Sequence, residues 1–168
     1  MTEGRYAALM DDEGQAEELV RFADEVGRFY EDLGLPRIWG RVLGWLMVCE
    51  PDEQSADDLT AILHASRGSI SMTTRSLIRA GLVQRQNKPR DRRTFYRIDS
   101  QAWTAVFEQQ TQTTKRLRSL AQQGLAALDG TSPERRRRLV ELEDLTAFYE
   151  REAPALLQRW RQQHHRFS

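Results

Sequence analysis

With 168 residues the chain can build one well-packed domain, or a small domain joined to a layer of dimerisation helices. Its 25 basic and 25 acidic residues cancel to a formal net charge of zero, and an ordinary aromatic content argues against disorder for the bulk of the chain. Cys49 is the only cysteine, which excludes an intrachain disulfide, and the most apolar run, Val42 to Cys49, is far too short to cross a bilayer. An acidic N-terminus without the apolar core of a signal peptide points to a cytoplasmic protein.

Leu19, Phe22, Val26, Phe29 and Leu33 recur at three- and four-residue steps and predict an amphipathic helix over 14–33. Gly34 is placed to stop it, and Pro36 to start a second helix over 36–49. That helix carries Ile38, Trp39, Val42, Leu43, Trp45, Leu46 and Val48 around most of its circumference, so it is expected to be buried on several sides. Ser55 then caps a short helix with Asp57 and Asp58 in its first turn, where the dipole favours acids, and Leu59, Ile62 and Leu63 form its buried face. Ser66 caps another helix, which ends with Gly81 as its left-handed stop. Two extended segments, 82–86 and 94–98, joined by a loop over 87–93, predict a β-hairpin with a basic tip.

Asp99 or Ser100 opens a long helix through Leu128. Thr131 with Glu134 reads as a capping box for the last helix, with Pro133 in its first turn. There Leu139, Leu142, Leu145, Tyr149, Ala153, Leu156 and Trp160 repeat at coiled-coil-like spacing, and Pro154 is expected to bend that helix rather than end it. The fold class is therefore mainly α with a small β-hairpin wing. An N-terminal helix over 1–34 contributes to a dimer layer, a winged helix-turn-helix occupies 35–98, and dimerisation helices occupy 99–168. The apolar seams of the long helices exceed what a small winged domain needs, and a two-fold homodimer would bury them.

The zero net charge hides a segregation. Between Arg67 and Arg97 nine residues are basic and Asp91 is the single acid, whereas ten acids stand against three arginines over 1–34. A positive segment of this kind is the footprint of a polyanion partner. Two short helices, a tight turn and a basic hairpin match a DNA-binding winged helix-turn-helix, whose second helix enters the major groove. On a helical wheel Ile70, Thr73, Thr74 and Leu77 share the packed side, and Gly68, Ser71, Met72, Arg75 and Arg79 share the other. The first turn holds Arg67, Gly68 and Ser69 in place of the usual acids. An arginine there opposes the helix dipole, at roughly 0.3–1 kcal/mol, unless an anion such as a DNA phosphate sits at the free N–H groups behind Ser66, with Gly68 permitting close approach.

At the hairpin tip Lys88, Arg90, Arg92 and Arg93 surround Pro89. One arginine, Arg90 or Arg92, is expected to reach into the minor groove while the others hold phosphates, and Asp91 to orient a neighbouring arginine. A solvated basic surface is the plainer alternative for both features.

Other constellations carry less chemistry. Tyr30, Trp39, Trp45, Trp103 and Phe107 could form an aromatic cage for a cationic effector, or be ordinary core and interface rings. The polar stretch 109–114 suits a cavity wall. Cys49 reads as a buried structural thiol, and His64, His164 and His165 are too few and too badly spaced for zinc. Arg135 to Arg138 wind around a helix and read as solvated or paired with Glu134 and Glu141. No cofactor or metal is expected and no enzyme motif is present. The competing function is a winged-helix adaptor for protein contacts, which would have no use for a basic face and wing tip.

The run Ser66-Arg67-Gly68-Ser69-Ile70-Ser71-Met72, then Leu77, Arg79-Ala80-Gly81-Leu82-Val83 and Pro89-Arg90-Asp91-Arg92-Arg93 before Tyr96, resembles the MarR superfamily of regulators. More narrowly that run is similar to the GbsR-type branch, and Gly34-Leu35-Pro36-Arg37 and Gly40-Arg41-Val42-Leu43-Gly44 resemble that branch's entry into the DNA-binding domain. The resemblance covers roughly 34–98. It implies a homodimeric transcriptional regulator, commonly a repressor, that holds two winged domains against adjacent major grooves and responds to a small effector.

Overall fold

The computed structural model describes residues 3–89 and 91–163, with side chains from residue 14 onward. The fold is mainly helical with one small antiparallel sheet, as the sequence predicts. The chain falls into two compact units, residues 1–102 and 103–168.

In the first unit α1 (Glu3–Asp32) packs along α2 (Arg37–Val48). The helix α1 begins well before the expected start at residue 14. It ends as Gly34 predicts: φ is +83°, Gly34 N–H donates to the Glu31 carbonyl and Leu35 N–H to that of Tyr30, which satisfies carbonyls left open at the helix end. The two helices approach closely because both carry small residues at the crossing. A Cβ built on Gly40 would lie 2.5 Å from the Val26 carbonyl oxygen and 2.8 Å from Gly27 Cα, and one on Gly44 would lie 3.0 Å from Ala23 Cα. Arg41 ties this pair to the next layer: its Nε pairs with Asp24 of α1, and a terminal nitrogen donates to the Leu63 carbonyl at 2.9 Å.

Ser55 caps α3 (Ala56–Ile62) through a reciprocal pair with Asp58, accepting from the Asp58 N–H while the Asp58 carboxylate accepts from the Ser55 N–H at 2.9 Å. The Ser55 hydroxyl, donating to the Asp58 carboxylate at 2.7 Å, and then the Ser55 N–H hold that carboxyl below the usual carboxylate range. After Leu63 the chain turns through His64 at φ +48°, a left-handed position that glycine fills at less cost. Ser66 then caps α4 (Arg67–Arg79), accepting from the Ser69 N–H at 3.1 Å. Gly81, at φ +71°, closes α4 with the same paired hydrogen bonds as Gly34.

Strands β2 (Val83–Asn87) and β3 (Thr94–Ile98) form the hairpin, with Val83 opposite Ile98 and Asn87 opposite Thr94. A third strand, β1 (Gln54–Ser55), pairs with the other edge of β3, with Ser55 opposite Phe95, so the order is β1-β3-β2. The sequence reads Ser55 only as a helix cap, and it serves as both. Leu43, Leu59, Leu63, Ile70 and Leu77 are fully buried at the centre of the core, with Trp39, Trp45 and Ala23 around them.

The second unit is a helical hairpin of α5 (Ala102–Ala127) and α6 (Pro133–Gln163). Asp99 does not start α5; its carboxylate accepts from the Gln101 N–H at 2.8 Å in a turn that precedes the helix. Arg118 donates to Glu143 at 2.8 Å and to Glu150 at 3.0 Å, and Arg161 pairs with Glu108 at 2.6 Å, which sets the helices antiparallel. The cap of α6 lies one residue later than the sequence suggests. With Pro133 as the first helical residue, Ser132 hydrogen-bonds Glu134, and the Thr131 hydroxyl donates back to the Leu128 carbonyl at 2.7 Å. The helix α6 continues through Pro154. No helix among the described residues is long and apolar enough to cross a membrane.

Candidate nucleic-acid interface

The two faces of α4 separate as its residue pattern demands. Ile70, Thr73, Thr74 and Leu77 are buried, and the Thr74 hydroxyl is satisfied internally by donating to the Ile70 carbonyl at 2.9 Å. Gly68, Ser71, Met72, Arg75 and Arg79 are exposed, while Ser69 is half-buried under the Ser66 cap. Arg75 lies along its own helix, with Nε donating to the Ser71 carbonyl at 3.0 Å. Gly68 faces open space: an added Cβ would meet only the Ser66 hydroxyl, at 4.0 Å. The internal packing therefore does not demand a glycine there.

Arg67, which the sequence assigns an external anion, has an internal one. Its guanidinium pairs with the Asp57 carboxylate at 3.0 Å, and both side chains are largely exposed. Sequence reasoning gives Asp57 only a dipole role in α3. An ion pair between separate helices leaves no periodic trace in the sequence.

The wing tip divides its cations. Lys88 pairs with Glu53 and stands 4.4 Å from the centre of the Phe95 ring, and Arg93 approaches that ring at 5.1 Å. Arg93 also holds Asp91 through its Nε and a terminal nitrogen at 2.8–3.2 Å. Those hydrogen bonds keep the Asp91 carboxyl below its ordinary range, and the expectation that Asp91 orients an arginine agrees with this geometry. Glu53 is the second counterion that the sequence gives no means of finding. Arg92 is exposed and, among the described residues, has no intramolecular partner. Arg90 lies outside the described residues. In β3 Arg97 lies against the amides of Gln84 and Gln86 on β2, at 2.9–3.2 Å once their oxygens face it. Arg85 donates to the Thr94 hydroxyl at 3.1 Å.

The five candidate effector aromatics divide between the units. Trp39 and Trp45 are core residues of the first, with half-buried Tyr30 edge-on to Trp39 at 4.7 Å and Trp45 Nε1 donating to Gln54 at 3.5 Å. Trp103 and Phe107 belong to the second unit, where they line a groove of about 900 Å³ between α5 and α6 with Phe148, Tyr149 and Trp160. Thr111 and Gln112, from the polar stretch of α5, line the same groove.

Cys49 is buried. Burial pushes its thiol up to about 11 against a hydrogen bond to its own backbone, and the Asp52 charge adds to the rise, so it is not a reactive thiolate near neutral pH. Arg137 faces Glu141 at 3.9 Å on the exposed side of α6, as local pairing predicts. No cluster of three or more His, Cys, Asp or Glu among the described residues is placed to hold a metal ion, and His164 and His165 lie outside those residues.

Known proteins share this arrangement. Residues 33–94 match a family model described as MarR family, and residues 101–163 match one described as MmpR5-like MarR family transcriptional regulator. The chain is 37% identical over 153 residues to the HTH-type transcriptional regulator MmpR5 of Mycobacterium tuberculosis, across 91% of this chain and 93% of that protein. It is also similar to a crystal structure described as a transcriptional regulator, at 38% identity and a TM-score of 0.74, covering 86% of this chain and 99% of that one.

Proposed function

The chain belongs to the MarR family of transcriptional regulators, and from that premise we propose that it binds duplex DNA as a homodimer, with α4 in the major groove and the β2–β3 wing beside it. The observation that carries the proposal is the exposed side of α4. It presents Arg75 and Arg79 with Ser71 and Met72, and the helix contains no acid. A surface helix in a protein of zero net charge has no internal reason to exclude acids, whereas a phosphate-lined groove supplies one. A winged adaptor for protein contacts leaves this charge unexplained.

Within the proposal the cations have distinct tasks. Arg75 and Arg79 face the bases, the first turn from Ser66 to Ser69 faces a phosphate, and Arg92 enters the minor groove or holds its edge. Lys88 and Arg93 hold the wing in shape around Phe95. The dimer joins two such surfaces through the first and last helices, repression follows from occupying a promoter, and the site of action is the cytoplasm. Support for a small-molecule effector is the aromatic groove around Trp103 and Phe107. The GbsR-type likeness rests on residues 34–44 and the α4 run, whereas the full-length relative and the model matching 101–163 are both described by MmpR5. The latter likeness supports reading the chain as an MmpR5-like member of the family.

The decisive experiment is fluorescence anisotropy of the purified protein with duplexes from its own upstream region and with random-sequence competitor. Sequence-selective binding is expected, and no affinity for any duplex at low salt overturns the proposal. Arg75→Ala is expected to weaken the selected site by about 1–3 kcal/mol while changing random-sequence binding little, because a base contact is lost. Arg92→Ala is expected to lower the slope of log K against log salt by about one, and Lys88→Ala to leave it nearly unchanged. Equal changes in slope for the two would mean that the Glu53 pair opens on DNA.

A further inference from the structure

Asp57 stands on the proposed DNA-binding surface as a negative charge with no task in the fold that its neighbour does not already perform. Asp58 completes the α3 cap, accepting from the Ser55 N–H at 2.9 Å and from its hydroxyl at 2.7 Å. Asp57 is left to Arg67, at 3.0 Å. The pairing of β1 with β3 sets Ser55 opposite Phe95, which brings the start of α3 beside the wing, and both Asp57 and Asp58 act electrostatically on Arg93. Asp57 thus pairs directly with Arg67 of α4 and acts at longer range on Arg93 of the wing.

We propose that Asp57 is an internal counterion that holds the place of a DNA phosphate on Arg67 in the free protein and so limits the affinity of the interface for the DNA backbone. The inference rests on the DNA-binding reading above. To reach a phosphate, Arg67 must leave Asp57, and the uncovered carboxylate then lies near the polyanion and takes up a cation from solution. Both effects oppose binding, and the cation uptake cancels about one of the counterions that Arg67 releases from DNA. Neither effect depends on base sequence, so Asp57 restrains sequence-independent binding and leaves base reading by Arg75 unaltered. The same pair explains why an arginine is tolerated in the first turn of α4 in the free chain, where the dipole is unfavourable to it.

The test is a cycle of wild type, Asp57→Asn, Arg67→Ala and the double variant, titrated with selected and random-sequence duplexes over roughly 50 to 200 mM salt. Exposed ion pairs of this kind correspond to about a two- to fivefold change in an equilibrium constant. Asp57→Asn is therefore expected to bind both duplexes about two- to fivefold more tightly at the low-salt end, with a slope steeper by about one. In the Arg67→Ala background the same replacement is expected to give a distinctly smaller gain, because only the repulsion between the carboxylate and DNA is left to relieve. Asp57→Ser, which keeps an oxygen in the first turn of α3, serves as the second variant if Asp57→Asn melts early. Wild-type affinity and slope in both Asp57 variants, or an equal gain without Arg67, overturns the inference while leaving the DNA-binding reading intact. A wild type that binds no duplex overturns both.

Discussion

Leu120→Glu combined with Leu145→Glu is expected to yield a folded single chain that binds its DNA site at least about a hundredfold more weakly than the wild type. Leu120 on α5 is 62% exposed and Leu145 on α6 is 65% exposed within one chain, so a charged side chain at either position disturbs no internal packing. Between them these helices bury few side chains, chiefly Thr104, Ala121 and Thr146, and leave Val106, Leu117 and Val140 exposed as well. Apolar surface on this scale marks an interface, and a second copy with the same surface satisfies it under two-fold symmetry. If two winged domains bind through one rigid dimer, the second contact is effectively intramolecular and is worth a factor of about 10² to 10⁴. Light scattering and anisotropy on the same sample check both halves of the expectation. A wild-type mass equal to one chain at micromolar concentration, or a double variant with wild-type mass and affinity, contradicts the homodimer.

The second large effect is on stability. Gly40→Ala is expected to destabilise the first unit by about 1–3 kcal/mol even though alanine is the better helix former by about 1 kcal/mol. The added methyl would meet backbone of α1, the Val26 carbonyl at 2.5 Å and Gly27 Cα at 2.8 Å, and backbone cannot turn aside as a side chain can. The helices must separate, and the contacts beneath them are lost. Gly14→Ala is the control, because nothing lies within 4 Å of its added Cβ, and it is expected to be neutral or stabilising. Thermal melts, in which each kcal/mol corresponds to about 4–8 °C for a unit of this size, check the contrast. Equal midpoints for the two variants would remove the close crossing as a source of stability.

The parts of this fold legible in the sequence are those written within one element or at its ends. The packed side of α4 follows from the 3.6-residue period, and the stops at Gly34 and Gly81 follow from the need for positive φ. The caps at Ser55 and Ser66 follow from their hydroxyls. Less legible are features in which two signals compete or two distant segments meet. Thr131 and Ser132 both offer a capping hydroxyl, and the choice falls to Ser132 because Pro133 suits the first helical position. Strand β1 is two residues long, too short for an alternating pattern, and exists because β3 has a free edge beside it. The counterions Glu53 and Asp57 belong to the same class, since each meets its cation across elements. At the candidate interface the cations were therefore legible, and the partners that restrain them were not.

Arg41 connects two separate parts of the first unit in one further respect. A single guanidinium reaches from a carboxylate on α1 to the Leu63 carbonyl, which is the last peptide oxygen before the left-handed residue that turns the chain toward α4. A displacement of the N-terminal helix must either drag that peptide along or break a charge-assisted hydrogen bond in a partly buried place. The turn into the helix proposed to read DNA is thus tied to the helix farthest from it in the chain order of this unit.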